Sequence, residues 1–394
     1  MSRLLEVFLQ FLLLGSSSFG GPIAHLGYFH ERFVQREHWL TEAAYADLVA
    51  LSQLLPGPSS SQVGMGLGFL RAGWMGGVVA WVGFTLPSAL LMIGAAALLS
   101  ANPAWLNSSV IDGLKVAAVA VVAQAVLSLQ RKLAPDRERI CLMAFSAVLV
   151  LLVPLAWAPL LALLIGGVIG VTRLKPSGEE LSPSDVLTVP LNRWVAMGLL
   201  GMVLVLFVTL PVLLANTEPI VLQQLGGFLQ AGALVFGGGH VVLPLLEQSL
   251  VPQDWIGLDQ FLVGYGAAQA VPGPMFSFAA FLGFDLRDGL HGIGGALLAV
   301  IALFLPSFLF IGGILPFWNQ IGRLQTMRRA LLGINAAVVG ILLAALFEPI
   351  WQEGIQSNAE FSLGLIAFLM LVSWKQPAWR VVIFCGVMSG LWST

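Results

Sequence analysis

The chain has 394 residues, 58% hydrophobic and 10% charged, with net charge −2 and mean hydropathy +0.91. Soluble domains carry about 25% charged residues, and one core at this length cannot absorb so much apolar side chain and keep a wet surface. A water-soluble enzyme, a disordered tail and a nucleic-acid binder, which needs a basic footprint, are all excluded.

The start, Met1-Ser2-Arg3-Leu4-Leu5-Glu6, imitates a signal peptide, but Glu6 and Gln10 interrupt the apolar run and no cleavage pattern follows. It reads as part of the mature chain. The apolar stretch 4–15 runs into Phe19-Gly20-Gly21-Pro22, then into an amphipathic segment ending at His30-Glu31-Arg32. A second stretch, 43–55, runs into Pro56-Gly57-Pro58 and continues over 59–70. A bilayer crossing needs about 20 apolar residues, so these pieces predict re-entrant half-helices, with short full crossings as the alternative. Spans are predicted over 74–99, 110–129, 194–214, 292–315 and 330–347. Two tight pairs, 141–153 with 155–171 and 361–373 with 381–392, predict hairpins of short or tilted helices. The stretch 173–193, with Pro176, Pro183 and Pro190, is the one soluble-looking linker. Cys141 and Cys385 both lie in apolar runs and read as buried free thiols.

The chain repeats itself. Phe19-Gly20-Gly21 recurs as Phe236-Gly237-Gly238, Gln53-Leu54-Leu55-Pro56-Gly57-Pro58 as Gln269-Ala270-Val271-Pro272-Gly273-Pro274, and Leu86-Pro87-Ser88 as Leu305-Pro306-Ser307, all at offsets of 216 to 219. Duplication of one membrane unit accounts for this. The expected organisation is a first repeat over 1–172, a linker with one unpaired helix over 173–219, and a second repeat over 220–394. Basic residues mark the cytoplasmic side. The loop after Leu129 carries Arg131, Lys132, Arg137 and Arg139, whereas its counterpart after Phe347 carries Glu348, Glu353 and Glu360. The bias flips from loop to loop, so the repeats should be inverted. With all four broken stretches re-entrant, every Lys and Arg except Arg287 and Lys115 falls inside. The predicted fold is therefore all-α: a polytopic membrane protein of two inverted repeats with broken helices.

A helix that starts inside the membrane offers backbone N–H groups and the positive end of its dipole, which is an anion site in a low dielectric. Pro56, Gly57, Pro58, Ser59, Ser60, Ser61 and Gln62 have the right parts: a turn, a proline suited to the first position, and neutral donors that can release an oxyanion. They also fit a plain interhelical loop with serines packing helices together. The second copy continues Met275-Phe276-Ser277-Phe278, so a polar site should be weighted toward the first half. Gly20, Gly21, Gly237 and Gly238 allow close approach of a ligand or of another helix. Lys115 lies within a predicted span, where cations default to function; pairing with Asp112 on the same face explains it equally. Asp47 and His25 are candidates for carrying a coupling proton, though an interfacial carboxylate and a packing histidine account for them too. Gln53, Gln269, Gly273 and His240 complete the candidate substrate-binding set. No metal-ligand spacing and no phosphate-binding loop occurs, and no cofactor is implied. A reading from another class, an intramembrane hydrolase with a serine of 59–61 and His25 or His240 as base, has no supporting spacing.

The runs Phe19-Gly20-Gly21-Pro22 and Leu54-Leu55-Pro56-Gly57-Pro58-Ser59-Ser60-Ser61-Gln62, with Phe236-Gly237-Gly238-Gly239-His240 and Gln269-Ala270-Val271-Pro272-Gly273-Pro274, resemble the chromate ion transporter family in its long form of two fused units. The likeness covers nearly the whole chain. It implies a bacterial inner-membrane protein that exports chromate and confers resistance to it, with sulfate as a look-alike anion. Membrane lipid surrounds such a chain, and the small-residue helix 110–129 can pack within the monomer or in a homodimer.

Overall fold

The structure is a computed structural model that describes residues 2–19, 21–102, 104, 109–153, 158–174, 192–216, 219–235, 241–318 and 324–392. Among these residues the regular structure is entirely helical. The first half comprises α1 (Arg3–Ser17), α2 (Gly21–Phe29), which runs on into a wider turn at His30–Arg36, α3 (Glu42–Leu54), α4 (Ser59–Ala101), α5 (Ser109–Leu133), α6 (Arg137–Leu152) and α7 (Ala158–Arg173). Helix α8 (Arg193–Asn216) follows. The second half comprises α9 (Ile220–Leu234), α10 (Val242–Leu250), α11 (Leu258–Ala270), α12 (Phe278–Asp285), α13 (Gly292–Ile314), α14 (Gln325–Ala345), α15 (Asn358–Val372) and α16 (Ala378–Trp392). Side chains set several starts: Ser2, Thr41, Asp136 and Ser357 each accept a backbone N–H of the turn they cap. At α6 the Arg139 N–H bond, with the Arg139 guanidinium close by, holds the Asp136 carboxyl below its usual range.

The broken helices fold back on themselves. Helix α1 rises from Glu6 to Ser18, and α2 returns, because Arg32 Nε donates to Gln10 Oε1 at 2.6 Å. Helix α3 rises to Pro56, and the first part of α4 returns to Arg71, which donates to Glu6 at 2.9 Å. Both hairpins thus close at one end of the molecule, here the near end. Helix α4 then leaves helical geometry at Ala72 and Gly73 and reverses. Its second part, 74–101, extends about 42 Å at 1.5 Å per residue, enough to cross a bilayer, and delivers Ser100 to Asp285, 2.7 Å away. Asp285 lies at the other, far end. There the second half closes its own hairpins: Gln224 of α9 bonds Arg287 O, Asp288 O and Leu290 N, and Arg287 pairs with Asp254. Helix α13 runs the opposite way to α4. Trp81 meets Phe304 and Phe69 meets Phe308, while Trp74 reaches Gly312. The two halves are antiparallel copies, as the loop charges predict.

The halves also exchange their last helices. Helices α6 and α7 pack on α14, and α15 and α16 pack on α5. Gly166 and Gly333 allow backbone-to-backbone contact in the first exchange, and Gly113 against Cys385 does so in the second. Among the described residues four helical stretches are long and apolar enough to span: Ser59–Ala101, Ser109–Leu133, Gly292–Phe317 and Gln325–Gly354. Their outer faces present Leu90, Leu98, Leu297 and Ile301, an apolar belt that water would not tolerate. Cys385 is buried, but Cys141, near the start of α6, is exposed. An apolar sequence neighbourhood marks lipid-facing positions as well as core, so it did not separate the two thiols.

Candidate functional site

The corners meet. Gly57 N–H donates to Val235 O at 2.6 Å, and Gly273 N–H donates to Ser18 O at 2.9 Å. Each Pro-Gly-Pro corner of one half is therefore bonded to the residue just before the Phe-Gly-Gly break of the other half. The two bonds are symmetry mates, 216 and 217 residues apart at their ends. The glycines have φ +121 and +91, values open to glycine and costly for other residues. A Cβ on Gly57 would overlap Ser307 Oγ, and one on Gly273 would lie 3.1 Å from Ser88 Oγ. The repeated Leu-Pro-Ser motif thus seats the partner half's corner.

Around the first corner the polar side chains are turned inward. Ser60 Oγ lies 3.3 Å from His25 Nδ1, and His25 Nε2 lies 3.2 Å from Ser18 O. A carbonyl only accepts, so Nε2 carries the proton and Nδ1 accepts from Ser60. His25 ties the first break to the first corner. Gln62 Nε2 donates to Pro56 O at 2.6 Å, closing the Pro56-Gly57-Pro58 turn. Ser60, Ser61 and Gln62 are at most 3% exposed, and Pro58 forms the N-cap of α4 behind the partly buried Ser59. At the helix start that the sequence offers as an anion cradle, Ser60 and Gln62 bond to the protein's own groups, while Ser61 Oγ and Ser307 Oγ are buried with no hydrogen-bond partner among the described residues. Serine and histidine here are within reach of each other, but the histidine's other nitrogen is held by a carbonyl and both side chains are buried.

The remaining candidates are spread out. Gln53 is exposed, and Asp47 is buried on α3 below it. Lys115 sits at the far end, 2.5 Å from Asp259 and 3.7 Å from Asp112. Asp259 opens α11, whereas the corner follows its end, about 20 Å away along the helix. The carboxylate across the interface, 144 residues downstream, outranks the local partner that helical spacing points to. Gly20, Gly237, Gly238 and His240 lie outside the described residues. Among the described residues no three metal-ligating side chains gather.

Open space lies at the second corner. A cavity of about 190 Å³ is lined by Gly21 of the first break, Gln124 of α5, Gln269 and Gly273 of the second corner, Gln376 of the α15–α16 connection and Trp379 of α16. Both halves contribute, and Gln124 lies near the middle of α5, hence at mid-depth. Gln269 donates to Met275 Sδ at 2.8 Å and shares a bond with Tyr265. Phe19 packs on Trp379 at 6.2 Å. Gln124, Gln376 and Trp379 escaped the sequence reading, although Gln124 is the one amide in the apolar run 110–129 and could have been found on that ground. A larger cavity of about 510 Å³ lies beside the reciprocal α6–α7 hairpin, lined by Glu247, Gln248, Gln253 and Glu348.

Two antiparallel helical units joined at their corners, with helices long and apolar enough to cross a bilayer, define a multi-pass membrane protein of the inverted-repeat class. The Chromate transporter family profile matches residues 5–171 and 222–390, and the chain belongs to that family. It is 28% identical over 378 residues to a probable chromate transport protein of Synechococcus elongatus, covering 93% of this chain and 88% of that one. It is 26% identical over 395 residues to the chromate transport protein of Cupriavidus metallidurans, covering 98% and 92%. An uncharacterised transporter of Bacillus subtilis matches at 29% over 143 residues, 36% of this chain and 70% of its own length, the size of a single unit. No solved structure matches the chain significantly.

Proposed function

We propose that this protein is a secondary transporter that carries chromate, a tetrahedral dianion, out through a bacterial inner membrane and so confers chromate resistance. The observation that carries the reading is the reciprocal pair of bonds, Gly57 to Val235 and Gly273 to Ser18, which brings oppositely directed hairpin tips together. Inverted units meeting around a central site can expose it alternately to the two sides. The near end, with Arg3, Arg32, Arg36 and Arg71, would be cytoplasmic, and the hairpins that turn back at the corners would be re-entrant. Moving a dianion out of an inside-negative cell yields about 2.3 kcal/mol per charge per 100 mV, so export needs no ATP. Sulfate has the same charge and shape, and neutral donors separate the two poorly, so sulfate should compete.

Everted membrane vesicles carrying the chain should accumulate chromate above empty vesicles, and added sulfate should reduce the uptake. Uptake equal to that of empty vesicles rejects the substrate. A serine-directed probe tests the hydrolase alternative raised by the Ser60–His25 pair: selective labelling of Ser60 would favour it.

A further inference from the structure

Resting on the transport reading, we propose that the cavity at the second corner is the cytoplasm-facing docking site for the tetrahedral dianion, with the amides of Gln124, Gln269 and Gln376 as donors and Lys375 and Arg380 as cations that draw the anion in. Its volume of about 190 Å³ matches roughly six water molecules at about 30 Å³ each, room for a five-atom oxyanion with part of its hydration. Among the described residues no carboxylate lines it.

The donors come from three separate elements, and their geometry favours an acceptor ligand. Arg380 Nη1 donates to Gln376 Oε1 at 3.0 Å, so the carbonyl end of that amide is occupied, and its N–H₂ end gives one hydrogen to Trp374 O over a long 3.5 Å, which leaves the other to donate. On Gln269, one amide hydrogen goes to the thioether of Met275, a weak acceptor that an oxyanion outcompetes. The Arg380 guanidinium stacks on the cavity-lining Trp379 at 5.2 Å. Lys375 and Arg380 are both exposed and bracket the lining residues.

Location gives the side. Helix α16 ends against Val110 at the far end, so its start and the α15–α16 connection point toward the near end, with Lys375 and Arg380 on either side of the cavity-lining residues at the level of Gln124. Cations set beside a low-dielectric cavity focus field into it and speed capture, while the neutral amides inside hold a dianion without trapping it. The cavity at the reciprocal hairpin has Glu247 and Glu348 instead. Those carboxylates disfavour a dianion there, while the adjoining cavity of about 310 Å³ is lined by Gln223, Gln230, Gln248 and Gln253 and has no cation in its lining among the described residues.

Two measurements test the assignment. In vesicles, Lys375→Gln with Arg380→Gln should raise the KM for chromate about tenfold at low salt, with the gap narrowing as salt screens it and kcat retained. Arg380→Lys should keep most of the affinity. Separately, a Cys141→Ser chain carrying Gln124→Cys is labelled from the near end with a negatively charged methanethiosulfonate. Sulfate, which unlike chromate does not oxidise thiols, should slow labelling severalfold, whereas chloride at equal ionic strength should not. Unchanged KM in the charge variant, or no protection by sulfate, overturns the site. Protection by sulfate in a chain that moves no chromate would keep the site and reject the chromate reading instead.

Discussion

The two Pro-Gly-Pro corners share a backbone and differ in what surrounds them. The first is followed by Ser59-Ser60-Ser61-Gln62 and is closed: His25 takes Ser60, Gln62 takes Pro56, and Ser307 fills the space above Gly57. The second is followed by Met275-Phe276-Ser277-Phe278, apolar and buried, yet the open space lies beside it. A run of hydroxyls and amides is a stock of donors, and a folded protein can spend that stock on itself. The donors that face the cavity stand singly on other elements, where no local run advertises them.

The sharpest break in this comparison is at the glycines. Gly57→Ala should unfold or inactivate the chain, because φ +121 is strained for alanine and its Cβ would overlap Ser307; such strain alone costs about 1–3 kcal/mol. Gly273→Ala should lower the melting temperature in detergent less, since its nearest neighbours stand at 3.0–3.3 Å. Equal losses would mean that the two seats are equally tight.

The hairpin bases give a second contrast. Gln224→Ala removes the partner of three backbone groups at the far end and should cost about 1–3 kcal/mol. Arg71→Ala breaks a half-exposed ion pair at the near end and should cost about 0.2–1 kcal/mol. Denaturation of the purified variants ranks them, and the reverse order would show that the near end depends on its charges. The Lys115–Asp259 pair is tested by exchange: Lys115→Asp alone should lose transport, and adding Asp259→Lys should recover part of it. No recovery would point to a role for the lysine beyond tying α5 to α11.

The smallest effect is expected of a pair that leaves function intact and only reports orientation. Cysteines at Gln130 and Gln352, in a Cys141→Ser chain, should be labelled from opposite faces of the membrane. Labelling of both from the cytoplasm would end the antiparallel arrangement.

Much of the fold was legible before the structure. The breaks at both Pro-Gly-Pro corners and the short paired helices near the end of each half reappear in the structure, and the flip of charge between the loops after 129 and 347 agrees with the antiparallel run of α4 and α13. The exchange of α6–α7 and α15–α16 was not legible, because an apolar face carries no label for which apolar partner it will meet. Lys115 shows the same limit: Asp112 is visible three residues away, and Asp259 becomes a neighbour only when α11 packs on α5.

The sequence alone determined that this chain lives in lipid, that it is a duplication, and that its halves face opposite ways. Those properties are sums over local residues: hydropathy, spacing and charge sign. Only the tertiary structure decided which polar groups are spent and which remain to meet a ligand. A hydrogen bond is satisfied by whatever the fold brings within about 3 Å, and here the decisive partners, Val235 for Gly57 and Ser18 for Gly273, come from the other half of the chain.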